Sequence, residues 1–301
     1  MNNSDRFSAL LTGSAMAASL VVACPGALAQ HYPTGAEGIK GATLPPPGLY
    51  LRDYNLVYFA DDVKDSKGHS APGDFNLTAY INAIRPVWIT DWKLLGGSYG
   101  MDILVPFVYQ DIKVGPPTLK DSSFNLGDIF IEPVTFSWHF ADGDLSIGYG
   151  VWAPTGEFDK TALVNPGKGY WSHMMTLGGT INLSDDKTWA LSVLNRYEIH
   201  TENTDLHMTP GHDFTSEFAL SKSLTKAIDV GVIGYYQQQL TTDTGAGAVS
   251  KDHYHVFAAG PEVNLFCSKL GMFVSARYAR EFAAEGRPEG NTVCVTLTKK
   301  W

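Results

Sequence analysis

The sequence predicts an all-β chain: a transmembrane, up-and-down antiparallel β-barrel of about twelve strands, with long extracellular loops and short periplasmic turns. Three observations carry this. Runs of period-two hydropathy, about ten residues or more each, fill the chain beyond residue 48, with almost no helical periodicity. The connections between them alternate between long and polar and short. Beyond the first 29 residues no run approaches the ~18 apolar residues of a membrane helix, so a membrane-embedded mature chain can only be a closed barrel.

The chain has 301 residues and a net charge of −9, and only 18% of its residues are charged, against about 25% for an average soluble protein. Tyr (14), Phe (15), Trp (7) and Gly (30) are abundant. An acidic balance with no Lys/Arg run excludes nucleic acid as a partner. Of the three cysteines, Cys24, Cys267 and Cys294, none stands in a CxxC or Cys/His cluster of zinc spacing. Cys267 and Cys294 either pair or are two isolated small apolar side chains. No metal or other cofactor is expected.

Residues 1–29 read as a signal peptide. "SALLTGSAMAASLVVA" follows Arg6 and leads to Ala27-Leu28-Ala29, an A-x-A cleavage site, which puts the mature start near Gln30. "VVAC" offers a competing lipoprotein box with Cys24 as a lipid-modified first residue. Residues 30–48 are expected to form an N-terminal periplasmic segment, and residues 49–301 the barrel in the outer membrane of a Gram-negative bacterium.

The strands follow in order. The first lies in "GLYLRDYNLVYFA" and the second is "FNLTAYINAI", with Phe75, Leu77, Ala79 and Ile81 on one face and Asn76, Thr78, Tyr80 and Asn82 on the other. "YGMDILVPFVYQD", "NLGDIFIEPVTFSWHF", "DLSIGYGVWA", "YWSHMMTLGGTINL" and "TWALSVLNRYEIH" are the third to seventh. "HDFTSEFALS", "AIDVGVIGYYQQQL", "HYHVFAAGPEVNLF", "MFVSARYARE" and "VCVTLTKKW" complete twelve. Connections after odd strands are mostly long, such as "TGEFDKTALVNPGKG". Those after even strands are mostly short, such as "ADG" and "SDDK", with "TDWKLLGGS" the longest. Tyr50, Tyr58, Tyr99, Tyr109, Trp171, Trp189 and Tyr197 stand near strand ends, as aromatic girdles do. The last strand must pair with the first to leave no open edge in hydrocarbon. Its outward Val293, Val295 and Leu297 and the final Trp301 are expected to be read by the outer-membrane assembly machinery.

In most strands the polar set shares one face, which is expected to point into the lumen. This nominates Asp53 and Asn55; Asn76, Tyr80 and Asn82; Asp102; Asp128 and Glu132; and Trp152. It continues with Arg196, Glu198 and Glu217; Tyr235, Gln237 and Gln239; Glu262, Arg277 and Glu281. Asp128 and Glu132 share parity with Phe130, Val134 and Phe136, which predicts a bulge near Pro133. The inward charges either line a solute path or pair across the barrel as filler. "GGSYG" matches a nucleophile elbow formally, but no helix follows Ser98. His253 and His255 lack a partner cluster for a metal.

The stretches "GLYLRDYNLVYFADDVKD", "LLGGSYGMDILVPFV", "GDIFIEPVTFSWH", "VWAPTGEFD", "NPGKGYW", "LNRYEIHTE", "TPGHDFTSEFALSKSL", "VGVIGYYQQQ", "GPEVN" and "SARYAREF" together resemble the outer-membrane proteins grouped under the MetA pathway of phenol degradation. The resemblance covers nearly the whole mature chain, and Trp301 in place of a terminal Phe is its mild departure. It implies a β-barrel tied to aromatic degradation and, more weakly, transport; it implies no particular functional residues. The expected function is a non-enzymatic channel for passive uptake of small hydrophobic or aromatic compounds, its partners being those solutes, membrane lipids and the assembly machinery. Loop aromatics Tyr170 and Trp171 would capture the solute, and Tyr80, Trp152, Tyr235 and Tyr254 would pass it along. The alternatives are a barrel enzyme such as a lipase, for which no Ser/His/acid set assembles from the sequence, and a structural barrel with a plugged lumen.

Overall fold

A computed structural model describes residues 30–301; the expected signal peptide lies outside them. The strands are β1 (Gly48–Val63), β2 (Asp74–Leu94), β3 (Gly97–Gly115), β4 (Leu119–Leu126), β5 (Ile129–Phe140), β6 (Gly143–Ala153) and β7 (Ser172–Asn182). They continue with β8 (Trp189–His200), β9 (Asp213–Thr225), β10 (Ile228–Gln239), β11 (His255–Cys267), β12 (Met272–Glu285) and β13 (Pro288–Lys300). Each pairs antiparallel with its sequence neighbour, except that β4 and β5 both pair with β3, and β1 pairs with β13 from Tyr50↔Lys300 to Val63↔Pro288. The sheet therefore closes on itself and has no edge to leave unpaired in lipid.

Thirteen strands make twelve staves, because β4 and β5 share one. β4 pairs with the upper part of β3 (Phe107↔Leu126) and β5 with the lower part (Leu104↔Phe130). The break falls at Gly127-Asp128, where Pro106 contributes no N–H to the ladder and its carbonyl accepts from Gly127 at 2.9 Å. The bulge expected near Pro133 is present: the β5–β6 register shifts between Ile131 and Val134.

Two connections differ from expectation. "TDWKLLGGS" is not a loop. β2 and β3 run on as a hairpin closed by Leu95 (φ 50) and Gly96 (φ 83), two consecutive positive φ angles that suit the right-handed twist of the strands. At the opposite rim, β12 and β13 are joined by Gly286-Arg287 alone, since both strands continue beyond where their patterning fades. The long connections at that rim are residues 64–73, 154–171, 201–212 and 240–254, so the rim asymmetry stands. The connection 154–171 folds back over the free edge of β4, where the Leu163 N–H donates to Asp121 at 2.9 Å and Asn125 donates to Glu157 at 2.6 Å. On the opposite rim, the Ser184 and Thr188 hydroxyls and the Thr188 N–H hold the Asp186 carboxyl below its usual range in the β7–β8 turn.

The outer wall carries apolar residues between two aromatic belts. Trp88, Trp92, Trp189 and Phe273 lie towards the short-turn rim, and Phe59, Tyr109, Trp171 and Phe282 towards the other. Tyr50 and Tyr58 do not join them. They point inward, donating to the Pro46 carbonyl (2.7 Å) and to Glu281 (2.8 Å). Cys267 and Cys294 are both free thiols. Val293, Val295 and Leu297 face outward, and the Trp301 N–H donates to the Leu49 carbonyl at 2.9 Å, sealing the seam.

Outer-membrane barrels keep their short turns in the periplasm. A cysteine at Lys67, exposed in the 64–73 connection, is therefore expected to react with an impermeant maleimide on intact cells. One at Asp186 should react only after permeabilisation; the reverse pattern would invert the barrel.

Candidate functional site

The lumen is occupied. Residues 30–47 do not lie beneath the barrel as a periplasmic segment but thread it from the long-loop rim to the short-turn rim, where the chain turns into β1. Polar groups on the inner faces of β8, β9, β11 and β12 bond to this segment's backbone and side chains. A lone sequence window with Pro45, Pro46 and Pro47 gives no sign of such partners.

At the long-loop end His31 is gripped on both ring nitrogens. Its Nε2 lies 2.8 Å from Asp128 and its Nδ1 2.7 Å from the Ser172 hydroxyl. Ser172 lies 2.6 Å from His200 Nδ1, whose Nε2 lies 3.1 Å from Asp213. His31 also stacks on Trp152 at 5.6 Å. The chain Asp128–His31–Ser172–His200–Asp213 includes a Ser/His/Asp set that the sequence did not show. Ser172 is fully buried between the two rings, so its hydroxyl reaches no substrate carbonyl, and the chain serves to tie the segment to the wall. In the overlying connection, burial holds the Lys168 ammonium below its ordinary value against the opposing pull of Asp128, Glu198 and Asp213.

One turn further down, Glu217 accepts from Tyr32 OH (2.7 Å), from the Gly35 and Glu37 N–H groups (3.0 and 3.1 Å) and from Arg196 (2.6 Å). The Arg196 guanidinium also lies 3.8 Å over the Tyr32 ring. Glu37 is taken by the opposite wall. Arg52 donates to both its oxygens at 2.9 and 2.8 Å, Tyr54 OH donates at 2.7 Å, and Arg85 lies 3.6 Å away. The Ile39 N–H donates to Glu262 at 2.7 Å, and Arg277 donates to the Ala36 carbonyl. A Cβ at residue 38 would overlap the Glu262 carboxylate, so any other residue there would displace Glu262 from the Ile39 N–H. At the lower end Thr43 donates to Asp144 at 2.7 Å, and Lys300 donates to the Pro47 carbonyl at 3.0 Å.

The segment does not fill the lumen. A cavity of about 1020 Å³ runs beside it. Its apolar wall is Leu56 on β1, Leu77, Ala79, Ile81 and Ala83 on β2, Leu104, Pro106 and Val108 on β3, and Phe130 on β5. This reverses the expected facing of β1 and β2. Asp53, Asn55, Asn76, Tyr80 and Asn82 stand on the outer wall and line no part of the lumen. All but Asn76 satisfy one another there: Asn82 donates to Asp53 at 2.7 Å and Tyr80 donates to Asn55 at 2.7 Å. Leu49 to Phe59 spans about 33 Å of strand, or about 25 Å of membrane normal at a ~40° tilt, so this quartet sits near mid-depth. Internal pairing is what makes such a position tolerable.

Elsewhere the predicted facing and the structure agree in geometry. Glu132, Trp152, Arg196, Glu198, Glu217, Tyr235, Gln237, Gln239, Glu262, Arg277 and Glu281 are all buried inside the barrel. Tyr254 is buried there too, and Tyr170 is buried beside His31, which leaves Trp171 as the exposed member of the loop pair. Glu132 and Asp102 share Arg85, each at 2.8 Å. Sequence reasoning missed Arg52, Tyr54 and Arg85. The available signal was a charge in an apolar row: Arg52 alternates with Tyr50, Tyr54 and Leu56, and Arg85 with Ile81, Ala83 and Val87. An arginine that would otherwise meet lipid at that depth marks its row as inward.

Solved structures resemble the chain to different degrees. A COG4313 outer membrane channel from Pseudomonas putida F1 superimposes with a TM-score of 0.76 at 14% identity, over 90% of this chain and 100% of that one. The β domain of the Bordetella autotransporter BrkA gives a TM-score of 0.49 at 10% identity, over 85% of this chain and 99% of that one. No curated protein matches the sequence. The model of the family described as "Putative MetA-pathway of phenol degradation" matches residues 60–297. That span takes in β2 to β12 whole, most of β13 and the end of β1, and the chain belongs to this family.

Proposed function

We propose that the protein is a passive channel of the Gram-negative outer membrane for small hydrophobic or aromatic compounds. The observation that carries this is the cavity of about 1020 Å³ with its apolar wall on β1–β3 and β5. A water-filled porin needs no such wall, and apolar groups turned away from lipid towards a lumen gain nothing unless something apolar meets them. The family description ties its members to phenol degradation and the similar solved barrel is named a channel, and both support the reading. Trp171, exposed at the long-loop rim, supplies a first apolar contact. The lumen would then pass the solute between the wall of β2–β3 and the threaded segment.

Labelled toluene at low concentration is expected to enter a strain lacking this gene more slowly than one carrying it, with the rate restored by the gene in trans. Equal rates in all three would overturn the reading. The occupied lumen favours a second reading, a structural barrel held closed by its own segment. Toluene flux into liposomes containing the purified barrel, no faster than into empty ones, would be its signature.

A further inference from the structure

We propose that Arg52, Tyr54 and Arg85 form a carboxylate-binding site for the transported solute, and that Glu37 of the threaded segment occupies it in the solute's place. The inference rests on the channel reading and narrows its substrate class to small apolar acids, such as aromatic or short aliphatic carboxylates.

The geometry is that of ligand recognition rather than of filler. Arg52 meets Glu37 fork to fork, with bonds of 2.9 and 2.8 Å, and Tyr54 OH adds a third bond at 2.7 Å to the same carboxylate. Paired guanidinium N–H donors favour an anion with two suitably spaced oxygens over neutral acceptors, and the occupant that fits this fork is a carboxylate, that of Glu37. Arg85 is held in place from behind by Asp102 and Glu132, at 2.8 Å each, and turns its remaining edge towards Glu37 at 3.6 Å. Arg52 has no such second carboxylate among the described residues. When Glu37 leaves, the Arg52 charge stands uncompensated in the lumen until another carboxylate arrives.

The site is also placed where a solute can reach it. All three side chains and Glu37 border the cavity, and the Arg52 side chain keeps 26% of its surface open. Leu56, Ala83 and Leu104 lie in the same wall. An acid whose carboxylate enters the fork would therefore lay its apolar body along the wall, which Glu37, with two methylenes, cannot do. Displacing Glu37 also removes one anchor of the segment, so the acid would widen its own path.

Equilibrium dialysis of the purified, folded barrel with benzoate and with its neutral isostere benzamide tests the assignment. Benzoate is expected to bind more tightly than benzamide. Glu37→Gln should strengthen benzoate binding and Arg52→Gln weaken it, each by about tenfold, the order expected for one charge-assisted bond pair; benzamide should not respond to either. Should Arg52→Gln fail to fold, Arg52→Lys, which keeps the charge and loses the fork, serves in its place and should bind benzoate more weakly than wild type does. Equal affinity for the two probes, or benzoate binding indifferent to Glu37→Gln and to the Arg52 changes, would overturn the proposal. Toluene flux is measured separately, so loss of flux with benzoate binding intact would count against the channel and not against the site.

Discussion

Deleting residues 31–46 is expected to raise single-channel conductance several-fold while the barrel still assembles. The staves hold one another by their own backbone ladders, including the β1–β13 seam, and none of those pairings involves the deleted stretch. What the deletion removes is the body filling the lumen from His31 to Pro46. A twelve-stranded cylinder is wider than the eight-stranded size that side chains alone can fill, so water should replace the segment along its length. The polar groups it satisfied, such as Glu217 and Glu262, face inward and can be rehydrated. Planar-bilayer recording, with heat-modifiable mobility as the check on folding, reads the result. An unchanged conductance from a folded barrel would show that the segment is not what limits passage.

Arg196→Ala is expected to be the most damaging single change inside the barrel. Arg196 and Glu217 are both almost fully buried and lie 2.6 Å apart. Removing one partner of a buried pair leaves an uncompensated charge and costs about 3–5 kcal/mol. Glu217 would keep its three donors from the segment, Tyr32 OH and the Gly35 and Glu37 N–H groups, but lose its only cation among the described residues. The Tyr32 ring would lose the guanidinium lying 3.8 Å over it. The thermal midpoint should fall, and the reversal potential under a salt gradient should shift towards cation preference. If the midpoint falls and the reversal potential stays put, these charges hold the segment but do not line the path.

The sequence disclosed the barrel because a closed sheet repeats one rule twelve times. On β8, β9 and β12 the inner row was legible as well, since Arg196, Glu217 and Arg277 alternate cleanly with outward Tyr197, Phe218 and Tyr278. On β1 and β2 the rule that polar means lumen pointed the wrong way, because two rows there contain polar residues. Asp53, Asn55, Tyr80 and Asn82 satisfy one another on the outside, and cross-strand pairing is invisible in a single strand's pattern. The inner row disguised itself with Leu77, Ala79 and Ile81, apolar because they face a cavity and not because they face lipid. Residues 30–47 were opaque for a different reason. Most of their bonds run to partners roughly a hundred to more than two hundred positions away, as from Gly35 to Glu217 and from Ala36 to Arg277, and no local periodicity records such contacts.

The threaded segment is joined to the wall at Gly48, eleven residues after Glu37. Nearer to it, Glu217 holds Gly35, Arg277 holds Ala36 and Glu262 holds Ile39, so a released Glu37 would still be confined close to Arg52. Such confinement corresponds to an effective concentration on the order of millimolar. The barrel thus carries its own competitor at a fixed local dose. An acid that binds the fork no better than Glu37 does would have to approach that dose to displace it, whereas one that adds contact along Leu56 and Leu104 could succeed well below it. These neighbouring anchors, more than the width of the lumen, would then set the solute concentration at which the path opens, and loosening them, as by Glu262→Gln, should lower that threshold.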